Sequence, residues 1–226
     1  MFSNVSVLFP FGPDNGPRSE AFEWVLKFYD RMFPEVEICI VEINEQPFPK
    51  ARAINQAAEK ATRDIFLIAD TDIFFDPDLL NVAVKELESH AWVLPFARRL
   101  YLDKESSKKV ISSDPQWPIQ VEIKVHQAPQ VGWGLLNVVP RKFFEAVNGF
   151  DERFVGWGGE DDTFAVSLNT LCGPGKRLNG SAYHLWHPQG DMSNYGNNLK
   201  LLKAYLNGRE SVAREIEKRR DLKNDN

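Results

Sequence analysis

The sequence predicts an α/β protein built on a doubly wound, mostly parallel sheet. Three apolar runs alternate with three helix-favouring segments, and the third run shows none of the alternation of a half-exposed strand. The 226 residues, 43% of them hydrophobic, are enough to bury one large core. In such a sheet, ligands bind beyond the carboxyl ends of the strands, so the residues that follow each run are the first candidates for a site.

The first two strand and helix units lie near the N-terminus. An apolar run over residues 5–9 ends at Pro10, and a turn rich in Gly, Pro and Asp leads to a helical pattern over 20–33. The second run, 36–43, is followed by a Pro-containing loop and by an alanine-rich segment, 51–61, that favours helix. The unit therefore repeats.

The third unit carries the first chemical motif. Its strand, residues 65–69 in DIFLIADTDIFF, ends at Asp70 and Asp72. Asp76 is expected to cap the following helix, with Pro77 at the first helical position. The buried stripe of that helix is predicted to contain Leu79, Leu80, Ala83, Val84 and Leu87.

The pattern weakens after residue 97. The polar segment 103–117 predicts a mobile loop, whereas residues 131–154 return to apolar runs with a helix near 141–147. From Arg209 onward the chain is heavily charged and predicts a solvated helix with a frayed end, with a binding tail as the alternative. A preceding helical stripe contains Leu199, Leu202, Tyr205 and Leu206.

Composition narrows the class of partner. The formal net charge is −5 and the 27 basic residues are scattered apart from a short C-terminal run, which argues against broad binding to nucleic acid. The N-terminal apolar run has no basic start and is broken by Pro10, too short for a signal peptide or a membrane span, so we expect a cytoplasmic protein. Cys39 and Cys172 lack metal-site spacing and are predicted to be packing residues.

Two carboxylates one residue apart, just beyond a buried strand, suit a hard divalent cation that also binds a diphosphate. Asp70 and Asp72 have this placement. The same spacing recurs in Asp76 and Asp78, where helix capping already explains it, so the position at the strand end distinguishes the two pairs. A polar strand terminus is the alternative interpretation.

The segment GWGGEDD, residues 156–162, has an unusual composition. Three adjacent acids repel one another, and three glycines cost backbone entropy, so a purely structural segment gains little from them. Helix capping is one explanation, because a helix is expected from Asp162 onward. It does not explain Trp157, on which a sugar can stack, or Gly158 and Gly159, which allow close approach of a ligand. An Asp fixed at a helix terminus also suits a base that deprotonates an attacking hydroxyl.

These motifs carry a family resemblance. The stretch VGWGLLNVVPRKFFEAVNGFDERFVGWGGEDDTFAV, residues 131–166, resembles the region of metal-dependent galactosyltransferases that runs from a Gly-rich acceptor segment through NGFD to GWGGEDD. With IADTDIFF upstream, the chain resembles glycosyltransferases of the GT-A fold, close to the family 2 and galactosyltransferase-type branches. The resemblance implies one domain over 1–226, with a Rossmann-like, mostly parallel sheet. Its implied parts are a nucleotide-sugar half (1–97), a fused acceptor-binding and catalytic half (98–207) and a charged C-terminal helix and tail (208–226).

The resemblance also implies the roles of individual residues. Asp70 and Asp72 would bind the metal and the diphosphate. Asp161 would be the catalytic base, and Glu160 and Asp162 would position the acceptor and the loop at this catalytic site. Members of the family complete the metal shell with a histidine past the acidic motif, and YHLWHP offers two. A single histidine in an apolar stretch is more often structural, but the pair favours a ligand. His187 is the expected ligand, and His184 is expected to be an outer-shell partner or an acceptor contact.

The remaining implied contacts divide between donor and acceptor. The expected donor contacts are Pro10, Phe11, Arg18, Glu42, Arg52, Asn55, Asp70 and Thr71. The expected acceptor contacts are Trp157, Gly158, Gly159, Asp162 and His184. On residue type alone, Arg18, Glu42, Arg52 and Asn55 could equally be ordinary exposed polar residues.

The sequence thus predicts a hexosyltransferase that depends on Mn²⁺ or Mg²⁺ and inverts the anomeric centre. The donor is expected to be a nucleotide sugar, most simply a uridine diphosphate sugar. The acceptor is expected to be a hydroxyl of a saccharide, metabolite, protein or modified base. One alternative is a nucleotide-sugar-binding module without turnover. Another is a sugar nucleotidyltransferase, which should carry a Gly-rich Lys/Arg signature after strand one that FPFGPDNGPR lacks.

Overall fold

The computed structural model describes residues 2–129 and 132–224. Val131, the first residue of the stretch that carries the resemblance, lies outside the described residues. The strands are β1 (Val5–Phe11), β2 (Glu37–Glu42), β3 (Ile65–Ala69), β4 (Ile73–Phe75), β5 (Trp92–Leu94), β6 (Arg98–Leu102), β7 (Val125–Gln127), β8 (Leu136–Pro140), β9 (Gly175–Arg177) and β10 (Ser181–His184). The helices are α1 (Pro17–Met32), α2 (Lys50–Lys60), α3 (Asp78–Glu86), α4 (Lys104–Ile111), α5 (Arg141–Ala146), α6 (Glu160–Leu171), α7 (Tyr195–Tyr205) and α8 (Arg209–Asn224).

Two sheets organise these elements. The six-stranded sheet has the order β2-β1-β3-β8-β5-β9, and the four-stranded sheet has the order β4-β10-β6-β7. In the larger sheet β8 runs antiparallel to β3 and β5, while the other neighbours are parallel. The prediction of an α/β fold with a mostly parallel sheet is therefore confirmed.

The three N-terminal units follow the prediction closely. All seven residues of β1 are buried, which explains why its sequence does not alternate. Helix α1 begins at Pro17, where the missing backbone N–H costs nothing. Helix α3 begins at Asp78 rather than Pro77, and the carboxylate of Asp76 accepts a hydrogen bond from the Asp78 N–H at 3.0 Å. Asp76 therefore does satisfy a donor at the helix start, and the helix begins one position later than expected.

The segment 103–117 is not the mobile loop that its polarity predicts, because it contains α4. Asp103 caps this helix by accepting a hydrogen bond from the Ser106 N–H at 2.7 Å. Ser106 and Ser107 are buried, and their hydroxyls accept hydrogen bonds from the N–H groups of Lys124 and Trp186 at 2.8 and 2.7 Å. Polar side chains are buried here because each one satisfies a backbone donor.

The C-terminal helix is also more buried than its charge predicts. Val212 and Ile216 of α8 are at most 3% exposed, and Arg219 is 6% exposed. The Arg219 guanidinium donates to the carbonyl of Val147 at 2.6 Å, and Glu215 accepts from Arg153 at 2.8 Å. A solvated helix is therefore wrong for this face, whose charged side chains satisfy groups on the segment 147–153. Residues 225 and 226 of the expected frayed end lie outside the described residues.

The turn 70–72 lies where the two sheets meet. It follows β3 of the six-stranded sheet and precedes β4 of the four-stranded sheet. Strand β10 pairs with β4 so that His184 faces Ile73, and the Leu185 N–H donates to the carbonyl of Asp72 at 2.9 Å. The chain thereby brings the end of β10 against the acidic turn, although more than a hundred residues separate them.

Candidate active site

A cleft of about 1020 Å³ opens beyond the carboxyl ends of β1 and β3. This is the edge at which an open α/β sheet binds its ligands. Most of the residues expected at the site line this cleft. They are Pro10, Arg18, Asp70, Thr71, Asp72, Trp157, Gly158, Gly159, Glu160, Asp161, Asp162, His184 and His187.

Four expected donor contacts do not line the cleft. Phe11 is buried against the ring of Phe22, with ring centroids 4.6 Å apart. Glu42 is exposed at the end of β2, and Arg52 forms an ion pair with Glu45 at 2.5 Å. Asn55 is buried, and its amide forms hydrogen bonds with the backbone of Phe150. Their expected contact with the donor is not supported by their positions.

Asn55 anchors the NGFD segment to α2. Its Nδ2 donates to the carbonyl of Phe150 at 2.9 Å, and its Oδ1 accepts from the Phe150 N–H at 2.8 Å. Nδ2 also donates to Glu152 at 2.7 Å. A buried amide with these partners has little remaining capacity to bind a nucleotide.

Asp72, His184 and His187 form a cluster that fits a metal ion. One ligand atom from each of the three lies within 4.8 Å of the others. His187 Nε2 is 3.0 Å from Asp72 Oδ2, and His184 Nε2 is 3.6 Å from Asp72 Oδ1. The Nδ1 atoms of the two histidines are 2.7 and 2.6 Å from the carbonyls of Leu185 and Pro188, an outer-shell arrangement that directs Nε2 inward. The structure therefore places both histidines, and not only His187, where they could bind the same metal ion as Asp72.

The charges of the cluster also suit a cation. Burial opposes ionisation of Asp72, but His184, the hydrogen bond from His187 and the nearby Arg18 together hold its pKa well below the usual value. Burial lowers the pKa of His184 although Asp72 opposes this, whereas burial of His187 is outweighed by its hydrogen bond to Asp72, which raises its pKa. A bound cation would take the place of the proton that Asp72 and His187 share in its absence. Asp72 Oδ1 is buried and has no hydrogen-bond partner among the described residues. One carboxylate and two imidazoles suit Mn²⁺ better than Mg²⁺, which prefers oxygen ligands.

Asp70 does not join this cluster, because its carboxylate faces Lys50. Lys50 Nζ is 2.9 Å from Asp70 Oδ1, 3.0 Å from Asp161 Oδ2 and 3.6 Å from Glu160 Oε1. Lys50 is the first residue of α2, and the sequence analysis did not identify it. A cation at a helix N-terminus opposes the helix dipole, and this unfavourable placement is the signal in the sequence that could have found it.

The charges around Lys50 shift the pKa values of its neighbours. Burial raises the pKa of Asp70, and Lys50 only partly opposes it. Burial and the adjacent Asp161 raise the pKa of Glu160 to about 8. Burial lowers the pKa of Lys50, but the three carboxylates overcome this and raise it well above the usual value. Lys50 therefore stays charged and balances the acids around it.

The glycine-rich loop sets the position of these acids. Helix α6 begins at Glu160, two residues before the expected start at Asp162, so all three acids lie in its first turn. Gly158 and Gly159 have φ values of 96° and 98°, a left-handed conformation that residues with a Cβ rarely adopt. Trp157 is 52% exposed, with its ring 5.2 Å from that of Tyr195. The loop thus turns the Trp157 ring outward while it directs the acids into the cleft.

Comparison with known proteins identifies the family. The model described as glycosyl transferase family 2 matches residues 14–131, which is more than half of the chain. The chain belongs to glycosyl transferase family 2. A second model, described as the N-terminal domain of galactosyltransferase, matches residues 120–188 of this family 2 protein. The two matches together cover the metal cluster and the GWGGEDD loop.

Individual relatives agree with this assignment. β-1,4-Galactosyltransferase 3 of Cricetulus griseus is 31% identical over 107 residues, which are 44% of this family 2 chain and 27% of the relative. The matching segment thus spans about a quarter of the length of that relative.

Solved structures show the fold. The catalytic domain of Drosophila β1,4-galactosyltransferase 7 in complex with xylobiose has a TM-score of 0.60 at 18% identity, over 88% of this chain and 79% of that one. A mutant of the same enzyme, in complex with manganese, UDP-Gal and xylobiose, has a TM-score of 0.53 at 18% identity, over 85% and 72% of the two chains. These likenesses confirm the GT-A fold. None of the described helices of this family 2 chain is both long and apolar enough to cross a bilayer.

Proposed function

We propose that this family 2 chain transfers a sugar from a nucleotide-sugar donor to a hydroxyl acceptor, with help from a bound divalent cation. The observation that carries the proposal is that two charged clusters share one cleft. Asp72, His184 and His187 form the first, and Lys50 with Glu160 and Asp161 forms the second. The Drosophila relative crystallised with manganese and UDP-Gal supports Mn²⁺ as the cation and a uridine diphosphate sugar as the donor.

The metal cluster is assigned to the leaving group. Asp72, His184 and His187 would hold Mn²⁺, and the ion would neutralise the charge that develops on the departing diphosphate. Arg18 lines the same part of the cleft, with Nη2 3.0 Å from His187 Nδ1, and we assign it to a phosphate oxygen. Pro10 and Thr71 line the cleft beside these groups and complete the donor side.

Asp161 is assigned as the base. It takes the proton of the acceptor hydroxyl while that oxygen bonds to the anomeric carbon and the bond from that carbon to the diphosphate breaks. With Asp161 acting as a base and not as a nucleophile, the displacement is single and inverts the anomeric centre. Lys50 orients the Asp161 carboxylate and is itself held by Asp70. Trp157, Gly158, Gly159 and Asp162 are assigned to the acceptor.

A thermal-shift screen of nucleotide sugars tests the proposal, because a ligand that binds the folded state raises the unfolding temperature. We expect stabilisation by UDP and one UDP-sugar with Mn²⁺ and none with excess EDTA. Release of UDP in the presence of a hydroxyl acceptor would then distinguish a transferase from a binding module. Exchange of pyrophosphate into the nucleotide sugar would indicate a nucleotidyltransferase instead. If no nucleotide sugar binds with Mn²⁺, the proposal is wrong.

A further inference from the structure

Arg99 is a cation in the cleft, and the proposed reaction gives it no role. It lies in β6 and lines the cleft together with Tyr101 and Trp133. Its Nη2 donates to the Tyr101 hydroxyl at 3.0 Å, and its Nε is buried without a hydrogen-bond partner in the described part of the chain. Among the described residues, no carboxylate lies within ion-pair distance of it. A guanidinium carries five N–H donors, so Arg99 has unused capacity for an anion.

The charges around Arg99 also favour the binding of an anion. Arg177 donates to the carbonyl of Gly132 at 3.1 Å and lies 5.0 Å above the ring of Trp133. Burial and the charge of Arg99 both lower the pKa of Arg177, so the two cations are close enough to repel each other. Asp162 is near enough to feel the charge of Arg99 but forms no ion pair with it. An anionic ligand would relieve the repulsion that the protein leaves uncompensated.

The loop 132–134 connects the surroundings of Arg99 with those of the proposed base. A Cβ on Gly132 would lie 2.8 Å from Arg99 Nη1, and a Cβ on Gly134 would collide with Asp161 Oδ2. Two residues of extended chain span at most about 7 Å. The guanidinium and the carboxylate therefore contact loop positions that are no more than about 7 Å apart, so a single sugar unit with an anionic substituent can reach both.

Aromatic packing holds this part of the cleft in place. The Tyr101 ring packs against those of His126 and His184, with centroids 5.3 and 4.7 Å away, and the Trp133 ring packs against Trp92 and the Arg177 guanidinium. Arg99 and Asp161 both line the cleft beside these rings. A ligand that bridges them would have one end at Arg99 and a hydroxyl at Asp161.

From this geometry, and resting on the proposed function, we infer that the acceptor is an acidic saccharide. Its carboxylate or phosphate binds Arg99 from the same sugar unit that presents its hydroxyl to Asp161. Tyr101 holds the guanidinium in place, and Arg177 fixes the loop against which it lies. Charge-assisted hydrogen bonds from a guanidinium recognise both kinds of anion, so the two are separated by experiment.

Matched pairs of ligands test the inference by equilibrium binding in the presence of Mn²⁺ and UDP. The first pair is 4-nitrophenyl β-D-glucuronide and 4-nitrophenyl β-D-glucoside, which differ in a carboxylate. The second is N-acetylglucosamine 6-phosphate and N-acetylglucosamine, which differ in a phosphate. We expect the anionic member of at least one pair to bind about 10- to 100-fold tighter, the usual effect of hydrogen bonds to a charged group. The pair that shows the preference identifies the anion.

Variants locate the preference at Arg99. Arg99→Gln should abolish it, and Arg99→Lys should keep part of it, because the charge remains while the planar fork is lost. The control is Arg98→Gln, since Arg98 donates to Ser181 and Asn179 instead of lining the cleft, and it should leave the preference unchanged. Thermal unfolding of each variant verifies that it is folded.

Two results would overturn the inference. One is equal binding within both pairs by wild-type protein, which needs no variant and is unaffected by folding defects. The other is a preference that survives in Arg99→Gln. In either case, binding of UDP with Mn²⁺ would leave the proposed function intact, whereas failure to bind UDP would remove the proposed function itself.

Discussion

Lys50 Nζ lies 3.0 Å from Asp161 Oδ2, although the two residues are 111 positions apart in the chain. The contact joins the first residue of α2 to the first turn of α6. Because Lys50 also contacts Asp70, a single cation connects the end of β3 with the acidic loop. The alignment of the two halves of the cleft therefore depends on this lysine.

Replacing Lys50 should lower the stability of the fold. In Lys50→Met, the buried Glu160 and the half-buried Asp70 and Asp161 lose their counter-ion, and we expect the free energy of unfolding to fall by about 3 kcal/mol at neutral pH. The loss should shrink in acid, because protonated carboxylates no longer repel one another. Lys60→Met is the control, since Lys60 is exposed at the other end of α2. Urea unfolding of both variants from about pH 5 to pH 8 tests the prediction. Equal losses in the free energy of unfolding for the two variants would contradict it.

Glu160 should make stability depend on pH with a defined sign. Its pKa is about 8 in the folded protein against an ordinary value of 4.5, so between these values the folded state holds a proton that the unfolded chain has lost. Wild-type protein should therefore lose stability relative to Glu160→Gln as the pH rises through that window, and the difference should level off above it. Glu105→Gln changes an exposed acid and should show no such trend. A difference that is flat or of opposite sign would show that Glu160 is ionised in the fold.

The two histidines should contribute comparably to metal binding. The family resemblance ranks His187 above His184, but both Nε2 atoms lie within 3.6 Å of an Asp72 oxygen, and both Nδ1 atoms contact a carbonyl. His184→Ala and His187→Ala should each weaken the Mn²⁺-dependent binding of UDP by at least the ~10–100-fold typical of an outer-shell partner. His90→Ala, on the distant helix α3 side of the fold, is the control. A loss confined to His187→Ala would restore the original ranking.

The C-terminal helix should be needed for stability. Arg219 is 6% exposed, and its guanidinium donates to the carbonyls of residues 147–149, so Arg219→Met leaves buried acceptors unsatisfied. We expect a loss of about 2 kcal/mol in the free energy of unfolding. The adjacent Arg220 is exposed and donates once, to Ala146, so Arg220→Met should cost much less. Equal effects of the two substitutions would support the solvated helix that the sequence predicts.

These contacts show which features of the fold can be found from sequence. The strands β1 and β3 and the position of Asp72 follow from local hydrophobic runs, because burial on both faces leaves a continuous apolar pattern. The helix α4 was missed because Ser106 and Ser107 look solvent-exposed by composition. Their burial depends on backbone donors of Lys124 and Trp186, which no local pattern reveals.

The candidate site shows the same division. The residues of the two acidic motifs and the histidine pair could be named because their chemistry is concentrated in short segments. Arg99 could not, since it is a single cation whose importance lies in the aromatic rings that distant elements bring to it. For Lys50 the sequence offers only its unfavourable position at a helix N-terminus, and the carboxylates that surround it come from distant elements. Conversely, Asn55 was assigned to the donor on a local motif, yet its amide holds the NGFD segment.

Asp161→Asn separates the base from a helix-capping residue. Asn preserves the size of the side chain and part of its hydrogen bonding, but it cannot take up a proton. If Asp161 is the base, the variant should keep its affinity for Mn²⁺ and UDP while turnover falls by ~10²–10⁴-fold, the usual contribution of general base catalysis. If Asp161 serves only the helix terminus, stability and turnover should both stay near the wild-type values, because Asn caps a helix as well as Asp does.

Asp78→Asn, in the first turn of α3, controls for the general effect of losing an acid there. Transfer by Asp161→Asn within a few-fold of wild type would reject the assignment. The remaining candidate would then be Glu160, whose carboxylate also lies beside Lys50 and whose pKa of about 8 would make turnover rise as the pH approaches that value.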